Sequence, residues 1–201
     1  MPAGWGIGAI VDVETTGLSC LYHEIVELAL LLFAFDRATG DVMGIVDEYS
    51  SLREPGRSIP ADVIAIHGIT PEMVRGKSLV DGRVEAMLDR AEFVIAHNAS
   101  FDYGFVTRLY PSAAGKRWLC SCHGIDWLAK GLPNRKLDTL IQAYGICDQE
   151  VHRAADDAMA TLALLAVRGP SGLSHFAELA QRHGLLATAA SEAAATGGRQ
   201  G

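Results

Sequence analysis

The feature that most constrains the fold is the apolar stretch IVELALLLFAF at residues 25–35. It is too short to span a bilayer and it contains Glu27, so it predicts a strand rather than a membrane helix. Another apolar run, 7–11, precedes it, and a third run, 42–52, follows it after the turn-type residues 36–41. Three strand-like runs in succession predict an antiparallel meander at the start of a sheet.

After this meander, the pattern changes to helical segments that alternate with short strands. The runs 93–96 and 118–120 predict a fourth and a fifth strand. Helices are predicted from Pro60, from Thr70-Pro71-Glu72, and over 84–91, 100–109, 125–129, 137–144, 155–167 and 173–183. The predicted fold class is therefore α/β, with helices packed on a mixed sheet. We expect one domain over 1–185, followed by a flexible Ala/Gly-rich tail over 186–201.

Composition narrows the class of protein. The 201 residues are 49% hydrophobic and 20% charged, which is typical of a globular domain with one core. The N-terminus lacks the features of a signal peptide, so the sequence predicts a cytoplasmic protein with no membrane partner. A net charge of −7 argues against indiscriminate binding of nucleic acid. The close pair Cys120 and Cys122 has no second pair, so it predicts ordinary thiols and no zinc site.

Two acids stand at the end of the first strand. Asp12 and Glu14 are two residues apart, so both side chains point to one face while Val13 points to the other. Neighbouring carboxylates raise each other's pKa, and a hard cation such as Mg²⁺ or Mn²⁺ removes that conflict because it prefers oxygen ligands. Taken alone, the spacing is also consistent with a strand that simply ends in solvent.

A third acid, Asp102, lies in the segment HNASFDYGF, where a strand ends and a helix begins. Asn98 or Ser100 can cap this helix, which places Asp102 in the first turn, where the helix dipole favours a negative charge. Taken alone, this segment predicts a helix-start aspartate. His97 is likewise consistent with a structural role in the loop.

The segment HRAADDA at 152–158 contains two adjacent aspartates. Successive helical residues differ by about 100° in direction, so Asp156 and Asp157 cannot both address one metal site. Apolar periodicity does not choose between them, because both helix faces contain apolar residues. The residues alone therefore leave the choice open.

Together these segments resemble the three exonuclease motifs of the DEDDh superfamily, which includes ribonuclease T and the proofreading epsilon subunit of DNA polymerase III. The matching stretches are DVETTGL at 12–18, HNASFD at 97–102 and HRAADDA at 152–158, in the family's order, within a resemblance over about residues 7–167. The resemblance implies a ribonuclease-H-like fold with a five-stranded mixed sheet. It also implies that the general base is His152, that Asp156 is a bystander, and that the metal ligands are Asp12, Glu14, Asp102 and Asp157.

The activity that this resemblance implies is 3′→5′ exonuclease activity that releases 5′-mononucleotides from a single-stranded end. Two divalent cations, Mg²⁺ with Mn²⁺ as a substitute, would activate water and stabilise the leaving oxygen. His152 would accept the proton of the attacking water. Four carboxylates around two such cations are locally neutral, so an acidic chain can still accept a phosphate. The residues expected to contact the substrate are Thr15, Gly17, Leu18, His67, Asn98 and Phe101.

Several alternatives remain open at this stage. Leu18 and Phe101 are also consistent with core residues. DNA is the substrate that we expect. The alternatives are RNA 3′-end trimming and a noncatalytic nucleic-acid-binding module that keeps the fold. The presence of all five catalytic residue types argues against the noncatalytic module. The basic residues form no stripe, which predicts a short footprint on the nucleic acid. A polymerase partner is not indicated, and a homodimer remains possible.

Overall fold

The computed structural model describes residues 2, 4–146 and 152–187. In these residues a five-stranded sheet with the order β3-β2-β1-β4-β5 is flanked by helices. The strands are β1 (Trp5–Thr15), β2 (Ile25–Asp36), β3 (Val42–Leu52), β4 (Phe93–Ala96) and β5 (Arg117–Cys120). The helices are α1 (Ala61–His67), α2 (Pro71–Val74), α3 (Asp81–Arg90), α4 (Ala99–Leu109), α5 (Leu137–Ala143), α6 (Ala154–Ala166) and α7 (His175–Arg182), with a 3-10 helix at Pro111–Gly115.

The strand directions make the sheet mixed. β1 pairs with β2, and β2 with β3, in antiparallel register, which confirms the predicted meander. β4 runs parallel to β1, and β5 runs parallel to β4. The predicted tail begins at residue 186, and only its first two residues are described. Residues 188–201 lie outside the described range, so the domain boundary at 185 stays a prediction.

One predicted helix is wrong. Residues 125–129 form turns instead of a helix. Within them Trp127 is fully buried and its indole N–H donates to the carbonyl of Ser121 at 2.8 Å. Side-chain burial in a folded loop, rather than one face of a helix, therefore accounts for the apolar spacing of this segment.

The sheet separates two apolar layers. On one face, Ile10 and side chains from β2 such as Leu31 and Phe33 pack with α5, α6 and α7. On the other face, Val11, Leu30 and their neighbours pack with α3 and α4. β2 is therefore buried on both faces, which explains why its sequence is almost continuously apolar. None of the helices in the described ranges is long and apolar enough to cross a membrane.

Glycine makes room for an aromatic cluster at one end of this first face. Gly8 lies opposite Phe33 in the β1–β2 register, and a Cβ at Gly8 would lie 2.6 Å from the rings of both Phe33 and Phe93. Phe176 from α7 closes the cluster, with its ring centroid 5.3 Å from that of Phe33 and 5.2 Å from that of Phe35. The same face of β1 continues through Ile10 to two acids at the opposite end of the strand, where the candidate site lies.

Candidate active site

Three carboxylates meet where α6 crosses the end of β1. Asp12 and Glu14 project from β1, and Asp157 projects from the first turn of α6. One oxygen of each residue lies within 4.8 Å of the other two. Asp157 is buried, whereas the adjacent Asp156 is exposed and is not one of the clustered acids. The geometry therefore separates the two neighbouring aspartates that the apolar pattern of α6 left unresolved.

The donor set of this carboxylate cluster, Asp12, Glu14 and Asp157, suits a hard divalent cation. Three negative groups in such close proximity repel one another, and oxygen ligands of this kind are those that Mg²⁺ or Mn²⁺ prefers. Softer metals would favour sulfur or imidazole ligands, and neither is present among the clustered atoms. The three residues thus fit the cation type that their sequence spacing predicts.

Asp102 is not one of the three clustered acids, but its carboxylate lies beside β1, where it accepts a hydrogen bond from the backbone of Val13. It sits in the first turn of α4 and is 2% exposed. Burial raises the pKa of Asp102 to about 8, against the opposing effect of the backbone amides of Asp102 itself and of Val13. Asn98 occupies the N-cap position of α4, one of the two predicted positions, but its backbone is left-handed with φ of 70° and its side chain makes no cap hydrogen bond.

His152 shares a cavity with two of the clustered acids. The cavity has a volume of about 470 Å³ and its lining residues are Asp12, His97, Lys136, Leu137, Asp138, His152 and Asp157. His152 itself is exposed and adopts a φ of 47°, which is uncommon for a residue other than glycine. Such conformations cluster at functional sites, where the surrounding structure maintains them.

Two residues of the cavity wall, Leu137 and Asp138, were not predicted as part of a site. Lys136 precedes α5, and Asp138 lies in its first turn. His97 joins this segment to the sheet: its Nε2 contacts the carbonyl of Arg135 at 2.8 Å and its Nδ1 contacts Ser121 Oγ at 2.9 Å. Burial lowers the pKa of His97, which favours the neutral ring in this structural role. The sequence carries no local signal for this part of the wall, because Leu137 and Asp138 reach the cavity only through tertiary contacts.

The segment after β1 exposes three large apolar side chains, Leu18, Leu21 and Tyr22. Thr15 is buried; its Oγ1 donates to the carbonyl of Gly17 at 2.7 Å and accepts from the Gly17 N–H at 3.3 Å. A Cβ at Gly17 would lie 2.5 Å from the ring of His23, so the turn requires glycine. Leu18 is 87% exposed, which rules out a core role for it. Phe101 is half-buried, with its ring centroid 5.0 Å from that of Phe105.

The structure argues against a direct substrate contact of His67. The ring is 3% exposed, and its Nδ1 accepts from the Ile69 N–H at 2.9 Å. Nε2 is buried without a hydrogen bond of standard geometry. Burial lowers the pKa of the ring, and the carbonyl of Thr15 and the carboxylate of Glu27 oppose that effect. His67 therefore fixes the loop from inside the protein.

The start of α6 is held by a residue from another strand. Glu27 lies on β2 opposite Glu14 and is 2% exposed. Its two oxygens accept from Arg153 Nη2 at 2.5 Å and Nε at 2.9 Å, and one of them also accepts from the Ala154 N–H at 3.1 Å. This partly buried ion pair connects β2 to the residue that immediately follows His152.

Comparison with known proteins gives the family. The RNase T family model, described as Exonuclease, matches residues 9–165. The chain belongs to the RNase T exonuclease family. This confirms the resemblance to DEDDh-type exonucleases that the three motifs carried, and the matched range includes all three clustered acids, Asp102 and His152.

Members of this exonuclease family among curated proteins are parts of much longer chains. The chain is 32% identical over 158 residues to DNA polymerase III PolC-type of Listeria welshimeri. The match covers 76% of this chain and 10% of the relative. It is 33% identical over 167 residues to DNA polymerase III PolC-type of Bacillus subtilis, with 78% of this chain and 11% of the relative covered. The chain thus spans about a tenth of the length of these relatives.

Solved structures of exonucleases share the fold. Exonuclease X in complex with 5′ overhanging duplex DNA matches with a TM-score of 0.57 and 27% identity, covering 84% of this chain and 98% of that one. Exonuclease I of E. coli in complex with a dA16 oligonucleotide matches with a TM-score of 0.60 and 20% identity, covering 80% of this chain and 40% of that one. The second likeness concerns the fold alone. Together they confirm the predicted ribonuclease-H-like α/β architecture.

Proposed function

We propose that this exonuclease-family chain removes 5′-mononucleotides from the 3′ end of single-stranded DNA in a reaction that depends on divalent cations. The observation that carries the proposal is the carboxylate cluster of Asp12, Glu14 and Asp157, which lies beside a cavity that His152 also lines. The single-stranded substrate, the polarity and the metal are parts of the proposal.

The clustered acids would bind the cations, and Asp102 would join them as the fourth acid, as the family resemblance implies. Two Mg²⁺ or Mn²⁺ ions held there would supply Lewis-acid stabilisation of charge on the phosphate and a lowered pKa for water. Asp102 would have to lose its proton to act as a ligand, since burial raises its pKa to about 8.

The chain's own residues would carry the proton and position the substrate. In hydrolysis a water oxygen forms a bond to phosphorus, the bond from phosphorus to the 3′ oxygen breaks, and the water proton must be accepted by a base. We assign that role to His152, whose exposed ring lines the cavity and can exchange the proton with solvent. Lys136, on the same cavity wall, is placed to attract the phosphate.

The exposed side chain of Leu18 would contact the terminal bases. Apolar contact with a base face tolerates any sequence, which suits an enzyme that removes successive nucleotides. Phe101 would contribute less to this contact, because it is half-buried against Phe105. Thr15 and Gly17 would act through the shape of their turn.

DNA is favoured over RNA as the substrate. The curated relatives reported above are DNA polymerases, and the matched structure of exonuclease X, at 27% identity, contains DNA. We propose that the isolated chain is active without a polymerase partner. RNA trimming and a noncatalytic binding module are outcomes that the experiment below distinguishes.

The test is a nuclease assay on matched oligonucleotides. Single-stranded DNA, duplex DNA and RNA of one sequence, each labelled at either the 3′ or the 5′ end, are incubated with Mg²⁺, Mn²⁺ or EDTA. We expect the 3′ label to leave as a mononucleotide, the 5′ label to give a descending ladder, and EDTA to stop both. Faster cleavage of the RNA would identify RNA, rather than DNA, as the substrate. DNA binding without cleavage in the presence of either metal would indicate the noncatalytic module.

The base assignment has its own variant. His152→Ala should lower kcat by about 10²-fold to 10⁴-fold, since this is the usual contribution of general base catalysis. Binding of single-stranded DNA, measured by fluorescence anisotropy, should stay at the wild-type level. Near-normal turnover in this variant would remove His152 from the mechanism.

A further inference from the structure

A partly buried ion pair lies next to the proposed site, and neither of its members is among the residues that line the cavity. Glu27 uses both carboxylate oxygens, in a two-point contact with the Arg153 guanidinium and a hydrogen bond from the Ala154 N–H. Glu27 has a side-chain exposure of 3% and Arg153 one of 34%. Removal of one partner from such a pair leaves an uncompensated buried charge, so this contact strongly constrains the local structure.

The ion pair determines where α6 begins. The N-cap residue Arg153 makes no side-chain cap hydrogen bond of its own. The first N–H group of the helix, that of Ala154, is satisfied instead by Glu27 from the neighbouring β2 strand. A carboxylate at this position also interacts favourably with the positive end of the helix dipole. The start of α6 is thus fixed to the sheet rather than capped from within its own sequence.

Two proposed functional residues flank this fixed point. His152 immediately precedes Arg153 and has an uncommon backbone conformation, with φ of 47°. Asp157 follows within the first turn of α6 and joins the carboxylate cluster. A shift of the start of α6 would therefore move both residues relative to Asp12 and Glu14, which are carried by the sheet.

Charge makes the partner of Glu27 necessary. Glu27 lies directly across from Glu14 in the β1–β2 register, on the same face of the sheet, where like charges destabilise a pair. Glu27 and Glu14 both raise the pKa of Arg153, so its positive charge acts on both carboxylates. Without Arg153, Glu27 would place an uncompensated buried negative charge beside the carboxylate cluster.

We propose that Glu27 and Arg153 are positioning residues of this exonuclease: their ion pair fixes the start of α6 on β2 and thereby holds His152 and Asp157 against Asp12 and Glu14. Neither residue is assigned a contact with the substrate. The inference rests on the proposed function for its catalytic consequence, and on contacts within the chain for its structural one.

The experiment compares Glu27→Gln, Arg153→Lys, Arg153→Met and the E27Q/R153M double variant with wild type. The matched control is Glu178→Gln, because Glu178 forms a comparably shielded ion pair with Lys130, at 2.8 Å and with 17% exposure of both side chains, between α7 and the turn at 121–130. All assays are run well below the melting temperature of the least stable variant. If E27Q does not fold, Arg153→Lys carries the test, since it keeps the charge and loses only the two-point contact.

We expect E27Q and R153M each to lower kcat by about 10-fold to 100-fold, as loss of a partner that orients metal ligands typically does, with KM nearly unchanged. R153K should fall between R153M and wild type, and the double variant should be no worse than either single variant because the two residues act as a unit. E178Q should lose stability but keep the wild-type kcat. Wild-type kcat in R153M, or a loss of kcat in E178Q equal to that in E27Q, would overturn the proposal.

An activity-independent measurement separates this inference from the proposed function. Amide hydrogen exchange over residues 154–157 should accelerate in E27Q and R153M and stay at the wild-type rate in E178Q. If wild type proves to have no nuclease activity, the proposed function fails while this measurement still tests the ion pair. Unchanged exchange at the start of α6 in both E27Q and R153M would show that the pair does not fix the helix.

Discussion

The two ends of one sheet face differ in the kinds of residue that they contain. Along β1 this face contains Gly6, Gly8, Ile10, Asp12 and Glu14 in order. Across the strand pair, their partners on β2 are Phe35, Phe33, Leu31, Ala29 and Glu27. The first end, which we call the aromatic end, contains the glycines and phenylalanines; the second, which we call the acidic end, contains Asp12, Glu14 and Glu27.

The difference concerns how each end is stabilised. The aromatic end is held by ring contacts and close packing against α7, with no ionised group among its strand residues. The acidic end contains one buried carboxylate, Glu27, and two half-buried ones, and burial of a charge is unfavourable unless charge partners or hydrogen bonds compensate. For Glu27 this compensation comes from Arg153, far along the chain. We infer that the aromatic end stabilises the fold, whereas the carboxylates of the acidic end lower its stability and serve the proposed catalytic activity.

The largest effect is expected from a charge removed at the acidic end. Asp157→Asn should lower kcat by about a thousandfold, because loss of a metal-binding carboxylate forfeits several kcal/mol of transition-state stabilisation. The matched control is Asp156→Asn, one residue away and exposed, which should keep the wild-type kcat. The measurement is single-turnover cleavage of 3′-labelled DNA. Equal losses in the two variants would contradict the assignment of Asp157 to the site.

The second prediction tests the aromatic end. Gly8→Ala should reduce the free energy of unfolding by about 1–3 kcal/mol, since its Cβ would overlap the rings of Phe33 and Phe93. The kcat should not change at temperatures where the variant is folded. Urea unfolding gives the first quantity and the nuclease assay the second.

The control for that prediction is Gly82→Ala. Gly82 lies in α3 with open space around its missing Cβ, so the same substitution should stabilise the protein by about 0.5–1 kcal/mol. If G8A proves as stable as wild type, the glycines of β1 are not required by the phenylalanine cluster.

The third prediction concerns the protonation of His175, which precedes Phe176 of the aromatic cluster on α7. His175 on α7 is fully buried, with Nδ1 3.0 Å from the carbonyl of Leu164, and burial lowers its pKa. Because the folded-state pKa lies below the unfolded value of about 6.5, this contribution to stability is complete above that pH and is lost as the pH falls toward the folded-state pKa. The unfolding free energy should drop by about 1.4 kcal/mol per pH unit for this group within that window.

The variant that isolates this effect is His175→Gln. Below pH 6.5, its unfolding free energy should depend less steeply on pH than that of wild type, as measured by urea unfolding at several pH values. Parallel curves for the two proteins would mean that His175 does not contribute to the pH dependence.

The smallest effect is expected at the exposed apolar side chain beside the acidic end. Leu18→Ala should raise KM for single-stranded DNA by about fivefold, the lower range for loss of a base contact, and leave stability unchanged because the residue is 87% exposed. Val80→Ala, at a residue that is 61% exposed, serves as the control and should alter neither quantity. An unchanged KM in L18A would show that Leu18 does not contact the terminal bases.

Much of the fold follows from local patterns. The meander, the α/β class and the common face of Asp12 and Glu14 were predicted from apolar runs and from the period of two in a strand, and the structure has all three. The apolar pattern could not separate Asp156 from Asp157, because α6 packs on more than one side. It also predicted a helix at 125–129, where burial of a tryptophan in a turn produces similar spacing.

The contacts that could not be predicted are those between distant segments. Nothing near Glu27 indicates that its partner is Arg153, and nothing near His97 indicates that it contacts the carbonyl of Arg135. Asn98 has the residue type of a helix cap, but the left-handed backbone that the turn imposes there excludes the usual cap geometry. His67 is polar in sequence and buried in the structure, because a local backbone hydrogen bond satisfies one side of its ring.

The carboxylate cluster joins the first strand of the sheet to the sixth helix, so its members come from nearly opposite ends of the folded region. During synthesis, β1 leaves the ribosome long before α6 exists, and contacts between such distant segments form late. A nascent chain therefore cannot assemble the cluster until translation has passed Asp157. The same holds for any fragment that ends before α6, which would retain the first two acids without the third.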